Sequence, residues 1–365
     1  VLMTGRYGFR TGGLTNQTAG NASFRTEQSM ARVLKQAGYA TGMAGKWRQM
    51  SDSPGDWGFD EFVTDPTASG WFWKKSYTKN GQEVTSDKEL YYPDVASDFA
   101  VDFIRRHQDK PFYFYLSEHL VHGPILRTPD SQAGAPPHQL YDDNLKYLDK
   151  TVAKMLGELD RLGLREKTLV LFTSDNGTAP PAYMPQHDPQ LTTGKIGGRA
   201  VNGRKGQLLE GGSRVPLIAS WKGALPAGGV NNDLIDFSDL LPTFADLAES
   251  PLPSGVKLDG QSFAPQLRGE RGKPREWIFV QLGPGWYVRD DGWKLNERGE
   301  LFSMKDAPFV EAPVPADASD PQSQAARTRL QKILDELRPG AGKTVSADET
   351  KKKTGKRARK KNVNK

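Results

Sequence analysis

Apolar and polar positions along the chain follow two rhythms. Met30, Val33, Leu34 and Ala37 recur at helical spacing and predict a helix over Gln28–Ala37, with Gly38 just past its end. Tyr39–Ala44 follows as a short strand. Val95, Phe99, Phe103 and Ile104 share one face of a helix over Val95–His107, and Tyr141–Leu162 reads as a long amphipathic helix. Pro111–Ser117 and Thr168–Thr173 are unbroken apolar runs, the pattern of buried strands in a parallel sheet. Val215–Trp221 is a third such strand and Ser238–Leu247 a further helix. Val1–Gly12 reads as a loop or helix end with a turn, and Ser53–Asn80, rich in Trp, Gly and Lys, as an elaborate loop. The alternation of strand and helix up to about Glu249 predicts a doubly wound α/β layer.

The rhythm changes after Pro251-Leu252-Pro253-Ser254-Gly255, a candidate boundary. Trp277–Leu282, Trp286–Arg289, Trp293–Asn296 and Glu300–Met304 are short segments between turn residues and predict a small antiparallel sheet, with Gln324–Leu337 as a helix packed on it. From Gly340 on the chain is Lys-rich and of low complexity, the composition of a disordered segment. The expected organisation is residues 1–250, a smaller α+β unit over 256–340, and a basic tail over 341–365.

Charge and composition alter this picture in two places. The net charge of +6 comes from the tail, where ten Lys/Arg face two Asp/Glu; the rest of the chain then carries −2. The basic balance therefore gives no reason to expect a nucleic-acid partner. Cysteine is absent, which excludes disulfides, thiolate metal sites and a cysteine nucleophile within these residues. No apolar run approaches the roughly eighteen residues of a membrane span.

Four segments near predicted strand ends carry candidate chemistry. Asp175-Asn176 follows an apolar strand, where α/β sheets bind ligands, and offers two hard oxygens suited to Ca²⁺ or Mg²⁺, or simply an Asx turn. Arg204-Lys205-Gly206 and Glu210-Gly211-Gly212-Ser213-Arg214 form a glycine-rich basic loop, for an oxyanion or for solvent. Gly45-Lys46-Trp47-Arg48 places two cations one residue apart, enough for a tetrahedral dianion or a surface turn. His119 and His122 follow Pro111–Ser117; a histidine there suits general acid work, their spacing also suits a metal, and packing or capping is the plain alternative.

Taken in order, TGRY, GYATGMAGKW, HGP, SDNG and KG with EGGSRVP resemble the sulfatase family of the alkaline-phosphatase-like superfamily. VLMTGRYGFRTG at Val1–Gly12 looks like the second half of the sulfatase signature. FSDLLPTFADL at Phe237–Leu247 and LDGQSFAPQL at Leu258–Leu267 look like late family segments, so the resemblance spans roughly Val1 to Leu267.

The resemblance implies an alkaline-phosphatase-like mixed sheet between helices and a sulfuric ester hydrolase of the arylsulfatase type. It implies calcium, with magnesium as the alternative, and a formylglycine nucleophile. Asp175 and Asn176 would be metal ligands, Lys46 and Lys205 would bind sulfate oxygens, and His122 would assist the leaving group. Arg48 stands where the family often has His; it binds anions but, always protonated, is no base. The C/S-x-P-S-R nucleophile segment and the Asp-Asp metal strand are expected ahead of Val1, so the chain as it stands is expected to bind metal poorly and not to turn over. The substrate would be a sulfated small molecule or glycan, and export to the periplasm or cell exterior is implied. Two alternatives share the fold: a phosphodiesterase or phosphonate monoester hydrolase, and a non-catalytic binder of sulfated glycans. Trp57, Trp71, Trp73 and Tyr77, with the segment 178–199, are candidate determinants of leaving-group specificity.

Overall fold

The computed structural model describes residues 1–47, 50, 52–65, 72–179 and 193–341. Arg48, Trp71, His187 and the tail from 342 lie outside the described residues.

The chain opens on a short helix, α1 (Gly8–Thr11). Helix α2 (Met30–Gln36) starts where the Ser29 side chain accepts a hydrogen bond from the Arg32 N–H, and it buries Met30, Ala31, Val33 and Leu34. It feeds β1 (Ala40–Gly45), buried along its whole length. Then come β2 (Glu61–Thr64), β3 (Trp73–Lys79), β4 (Gln82–Tyr91), α3 (Tyr92–Arg106) and β5 (Phe112–Ser117). These strands form one sheet in the order β4-β3-β2-β1-β5. β1 runs parallel to β2 and β5, while β3 is antiparallel to β2 and β4. Phe99 and Phe103 of α3 pack on Phe114 of β5.

Next come α4 (Pro137–Arg161), β6 (Val170–Thr173), the hairpin β7 (Thr193–Ile196) and β8 (Arg199–Asn202), α5 (Glu210–Ser213), β9 (Leu217–Ser220), α6 (Leu240–Leu247) and α7 (Ala264–Leu267). β6 pairs with β9 antiparallel. Tyr113 of β5, Leu171 of β6, Leu217 and Ala219 of β9 and Phe244 of α6 gather on a core built by Met30, Leu34, Leu240, Phe263 and Leu267.

A second sheet follows, a meander of β10 (Ile278–Leu282), β11 (Gly285–Arg289), β12 (Trp293–Asn296), β13 (Leu301–Asp306) and β14 (Val310–Val314). Helix α8 (Pro321–Leu337) covers it, burying Ala326, Leu330, Leu334 and Leu337 against Val288, Leu295 and Leu301. Tyr7 and Phe9 from the start of the chain join this core.

The α/β layer is the mixed sheet that the family resemblance implies, with β3, β4 and the β6–β9 pair antiparallel, where strand–helix alternation alone suggested a doubly wound layer. The structure departs from the sequence expectation in three other places. Ser53–Asn80 is not one loop: it holds β2 and β3, and Asn80-Gly81, both with positive φ, turns β3 into β4. Ala341 belongs to a 3-10 turn over Pro339–Ala341 rather than to the tail. Trp57 is fully buried, so it supports the core and is removed from the specificity candidates. Trp73 is capped by the Arg127 guanidinium 4.0 Å above its ring, and Tyr77 packs toward Val63 and Phe99.

Arg275 and Glu118 are two of the ionisable groups that the fold draws away from water. Arg275 forks onto Asp239, with Nε 2.9 Å from Oδ2 and Nη2 2.5 Å from Oδ1, and also donates to the carbonyls of Asp259 (3.0 Å) and Trp277 (3.1 Å). Glu118, just past β5, accepts N–H bonds from His119 (2.6 Å) and Leu120 (3.3 Å), while its Oε2 has no hydrogen-bond partner among the described residues. Burial pushes this carboxyl up to about 7 despite those N–H groups.

Arg275→Met leaves Asp239 buried without its partner and should destabilise the fold by about 3–5 kcal/mol, read by urea unfolding. Glu118 contributes stability that is full below its unfolded pKa and is lost as pH rises through about 7. Unfolding free energy measured between pH 4 and 8 should therefore fall more steeply for the unaltered chain than for Glu118→Gln, and parallel curves would refute this.

Candidate functional site

Each site candidate sits where a strand stops, and glycine makes the stop possible. At Gly45, φ is 107°, and a Cβ there would lie 2.0 Å from the Ser117 carbonyl oxygen. The ends of β1 and β5 therefore close on each other. Lys46 N–H donates to Ser117 O at 2.8 Å, so Lys46 leaves the sheet beside the segment carrying the histidines. A similar contact joins two distant loops. A Cβ on Gly177 would stand 1.9 Å from Gly211 O, and Gly177 N–H donates to Gly212 O at 3.0 Å. Lys205 N–H donates to Thr178 O at 3.1 Å. The Asp175-Asn176 turn and the Lys205 loop are thus joined backbone to backbone.

His122 is half-buried. Its N–H donates to His119 O at 2.8 Å, and its Nδ1 lies 2.5 Å from Gly123 O. A carbonyl only accepts, so Nδ1 carries the proton in this bond. Burial lowers the His122 pKa, and the charges of Lys205 and Lys46 push the same way. The bond to Gly123 and the carboxylate of Asp175 oppose them. Lys46, His122, Asp175 and Lys205, far apart in sequence, therefore lie within electrostatic reach of one ring.

Asp175 is exposed and Asn176 partly so. The Asn176 amide donates to Gly177 O (3.2 Å), and Ser174 Oγ donates to Asn176 O (2.9 Å). Neither is the side-chain-oxygen bond of an Asx turn, and the Asp175 carboxylate is exposed. The side-chain oxygens of the pair are hard oxygens of the kind calcium takes, but in number they fall short of its roughly six to eight. Among the described residues, no group of three or more His, Cys, Asp or Glu is placed to hold a metal ion.

His119 stands apart from this group. It is buried against Tyr92, ring centroids 5.2 Å apart, with Nε2 3.4 Å from Asp65 Oδ2. Asp65 in turn pairs with Lys74 at 2.7 Å, both buried. His119 thus belongs to a buried polar cluster beneath the His122 turn. Sequence reasoning missed Asp65, Lys74 and Glu118, whose only signal was ionisable residues beside apolar segments.

No helix of the described residues is long and apolar enough to cross a membrane. Residues 1–250 match the family model "Sulfatase". Human arylsulfatase A is 32% identical over 316 residues, covering 76% of this chain and 59% of arylsulfatase A. The PsFucS1 sulfatase from Pseudoalteromonas sp. superposes with a TM-score of 0.76 at 21% identity, covering 94% of this chain and 81% of that one. A structure solved in complex with its substrate D-glucosamine-2-N,6-O-disulfate superposes with a TM-score of 0.71 at 17% identity, covering 94% of this chain and 88% of that one. The chain therefore spans well under two thirds of arylsulfatase A. With its strand-end lysines, histidine and Asp-Asn turn lying inside the matched 250 residues, the chain belongs to the sulfatase family.

Proposed function

We propose that residues 1–250 form the sulfuryl-binding part of a sulfuric ester hydrolase, with carbohydrate sulfates as the substrate class. The observation that carries this reading is the convergence of the Lys46 and Lys205 charges on the His122 ring. Two ammonium groups around one half-buried imidazole suit a tetrahedral anion, because an anion bound there is stabilised by both. The sugar disulfate bound by a structural relative supports the substrate class.

In this reading Lys46 and Lys205 hold the non-bridging sulfate oxygens. His122 donates from Nε2 to the bridging oxygen as the S–O bond breaks, so the alcohol leaves neutral. That task needs the imidazolium, which the two lysines disfavour in the free protein. A bound sulfate ester brings negative charge to the same place and favours protonation of the ring. Substrate and proton therefore bind together. In the family a formylglycine hydrate supplies the attack on sulfur and calcium supplies charge neutralisation. The chain has no cysteine to mature into formylglycine, and Asp175 and Asn176 alone do not complete a calcium site, so neither group enters the steps assigned to these residues.

The reading predicts that inorganic sulfate binds the chain by calorimetry and that Lys46→Ala and Lys205→Ala each abolish most of the binding; undiminished binding in both variants would sink it. The chain as it stands should not turn over aryl sulfates. Joining a matured C-x-P-S-R segment and an Asp-Asp strand ahead of Val1 should give turnover of aryl sulfates over aryl phosphates. Lys205→Ala should then cost about 10²–10³ in kcat; the reverse substrate preference would favour the phosphodiesterase reading. The His122 ring, followed by NMR titration, should lose its proton at a pH below that of an ordinary imidazole. Its pKa should rise on adding sulfate and in Lys205→Met; no change in either would exclude the coupled binding.

A further inference from the structure

The second sheet reaches into the site through charge. Lys205 lies in the stretch 203–209, which has no helix or strand of its own and runs into the four-residue helix α5. On one side this stretch is tied to the Asp175-Asn176 turn by the glycine contacts. On the other it meets β11, β12 and β14. Arg289 Nη1 on β11 lies 2.9 Å from Glu210 Oε1, both side chains buried. Glu311 on β14 accepts the Glu210 backbone N–H at Oε1 (2.7 Å) and Lys294 Nζ at Oε2 (2.6 Å). Lys294, on β12 and buried, also donates to Leu208 O at 2.6 Å. Ser213 Oγ and Tyr287 OH lie 2.7 Å apart. Farther out, Arg199 forks onto Asp306, and its guanidinium lies 3.8 Å above the Phe309 ring.

Two of these bonds end on backbone atoms, one at Leu208 O inside the Lys205 segment and one at the Glu210 N–H just past it. Apolar contacts would bury equal area at lower desolvation cost, and a buried ion pair is a poor way to gain stability. What directional bonds to Leu208 O and the Glu210 N–H do supply is register: they set where the segment starts its turn. We propose that the C-terminal sheet is a positioning element of the site, with Arg289 and Lys294 as the residues that hold Lys205 in place for the sulfuryl group. The proposal rests on Lys205 being an anion-binding residue, as read above. It makes the second sheet part of the active site rather than an appendage to it.

The test uses the whole chain, with inorganic sulfate as the probe and hydrogen exchange of the amides at 203–209 as a second measurement. Arg289→Met and Lys294→Met should each weaken sulfate binding about tenfold and speed exchange at 203–209. Arg289→Lys should recover part of the affinity. Leu330→Ala opens the core beneath α8 without touching the segment; it should lower Tm while leaving sulfate affinity and the exchange at 203–209 unchanged. The proposal is overturned if both methionine variants bind sulfate and exchange like the unaltered chain, or if Leu330→Ala weakens binding as much as they do. Should Arg289→Met fail to fold, Lys294→Met decides alone. If Lys205→Ala binds sulfate normally, the anion-binding reading of Lys205 fails instead, and the exchange at 203–209 still decides whether the sheet holds the segment.

Discussion

The Arg275–Asp239 fork is the constraint on which the two halves of the chain depend. Arg275 precedes β10, and Asp239 leads into α6, so the fork fastens the second sheet to the first layer. The start of the chain is held at the same place. Tyr7 N–H (2.8 Å) and Arg10 Nε (2.7 Å) both donate to the Asp259 carboxylate, while the Asp259 carbonyl accepts from Arg275. Gly260 stands so close to Ser238 O that a Cβ there would be 1.9 Å away. A buried fork of this kind gains little over apolar packing, and losing one half of it is costly. Its value is alignment: three segments far apart in sequence meet in one geometry.

Alignment of this kind recurs nearer the chemistry. The carboxyl ends of β1, β5 and β6 present Lys46, His122 and Asp175, and the loop after β8 brings Lys205. Each of these residues is at least partly exposed. The backbone holds three of them, through Lys46 N–H to Ser117 O, His122 N–H to His119 O and Lys205 N–H to Thr178 O. Backbone bonds of this kind fix position at no cost in side-chain freedom. The glycines at 45, 177 and 211 let carbonyls approach closely enough for such bonds to form.

Much of this was legible in the sequence, for identifiable reasons. The helices now placed at α2, α3, α4, α6 and α8 announced themselves by apolar spacing, and β5, β6 and β9 by continuous apolar runs. Strand direction was not legible. An apolar run reports burial and not the sense of its neighbour, so the antiparallel β6–β9 pair was read as parallel. Burial was overestimated too. β1 has partners on both edges and is wholly buried, but β5 pairs only with β1 and β6 only with β9 among the described residues, and both stay partly exposed. The β3–β4 hairpin was missed although Asn80-Gly81 is a strong turn signal, because the surrounding Lys and Trp residues masked alternation. Lys46, His122, Asp175 and Lys205 were named by motif, and in the structure the charges of Lys46, Lys205 and Asp175 act on the His122 ring. Arg289, Lys294 and Glu311 were not found, and Glu210 appeared only within the EGGSR motif, because buried ion pairs between separate elements leave no local trace.

The unusual polarity of His122 follows from that placement. An isolated imidazole at a strand end would titrate near neutrality and discriminate poorly between free and bound states. Here burial and two ammonium charges hold the ring neutral while the site lacks an anion. In the proposed reading, the lysines that would bind a sulfate ester add to burial in disfavouring the protonated ring before the ester arrives. An anion bound between them cancels their effect on the ring, so the proton is recruited only where a leaving group needs it. This coupling depends on distance. If the Lys205 segment moved away, both anion affinity and the depression of the ring's pKa would weaken together. The ties from the second sheet to Leu208 and Glu210 therefore bear on proton transfer as well as on binding. A charge at the far side of the molecule acts on the chemistry through backbone register, with no contact to the reacting atoms.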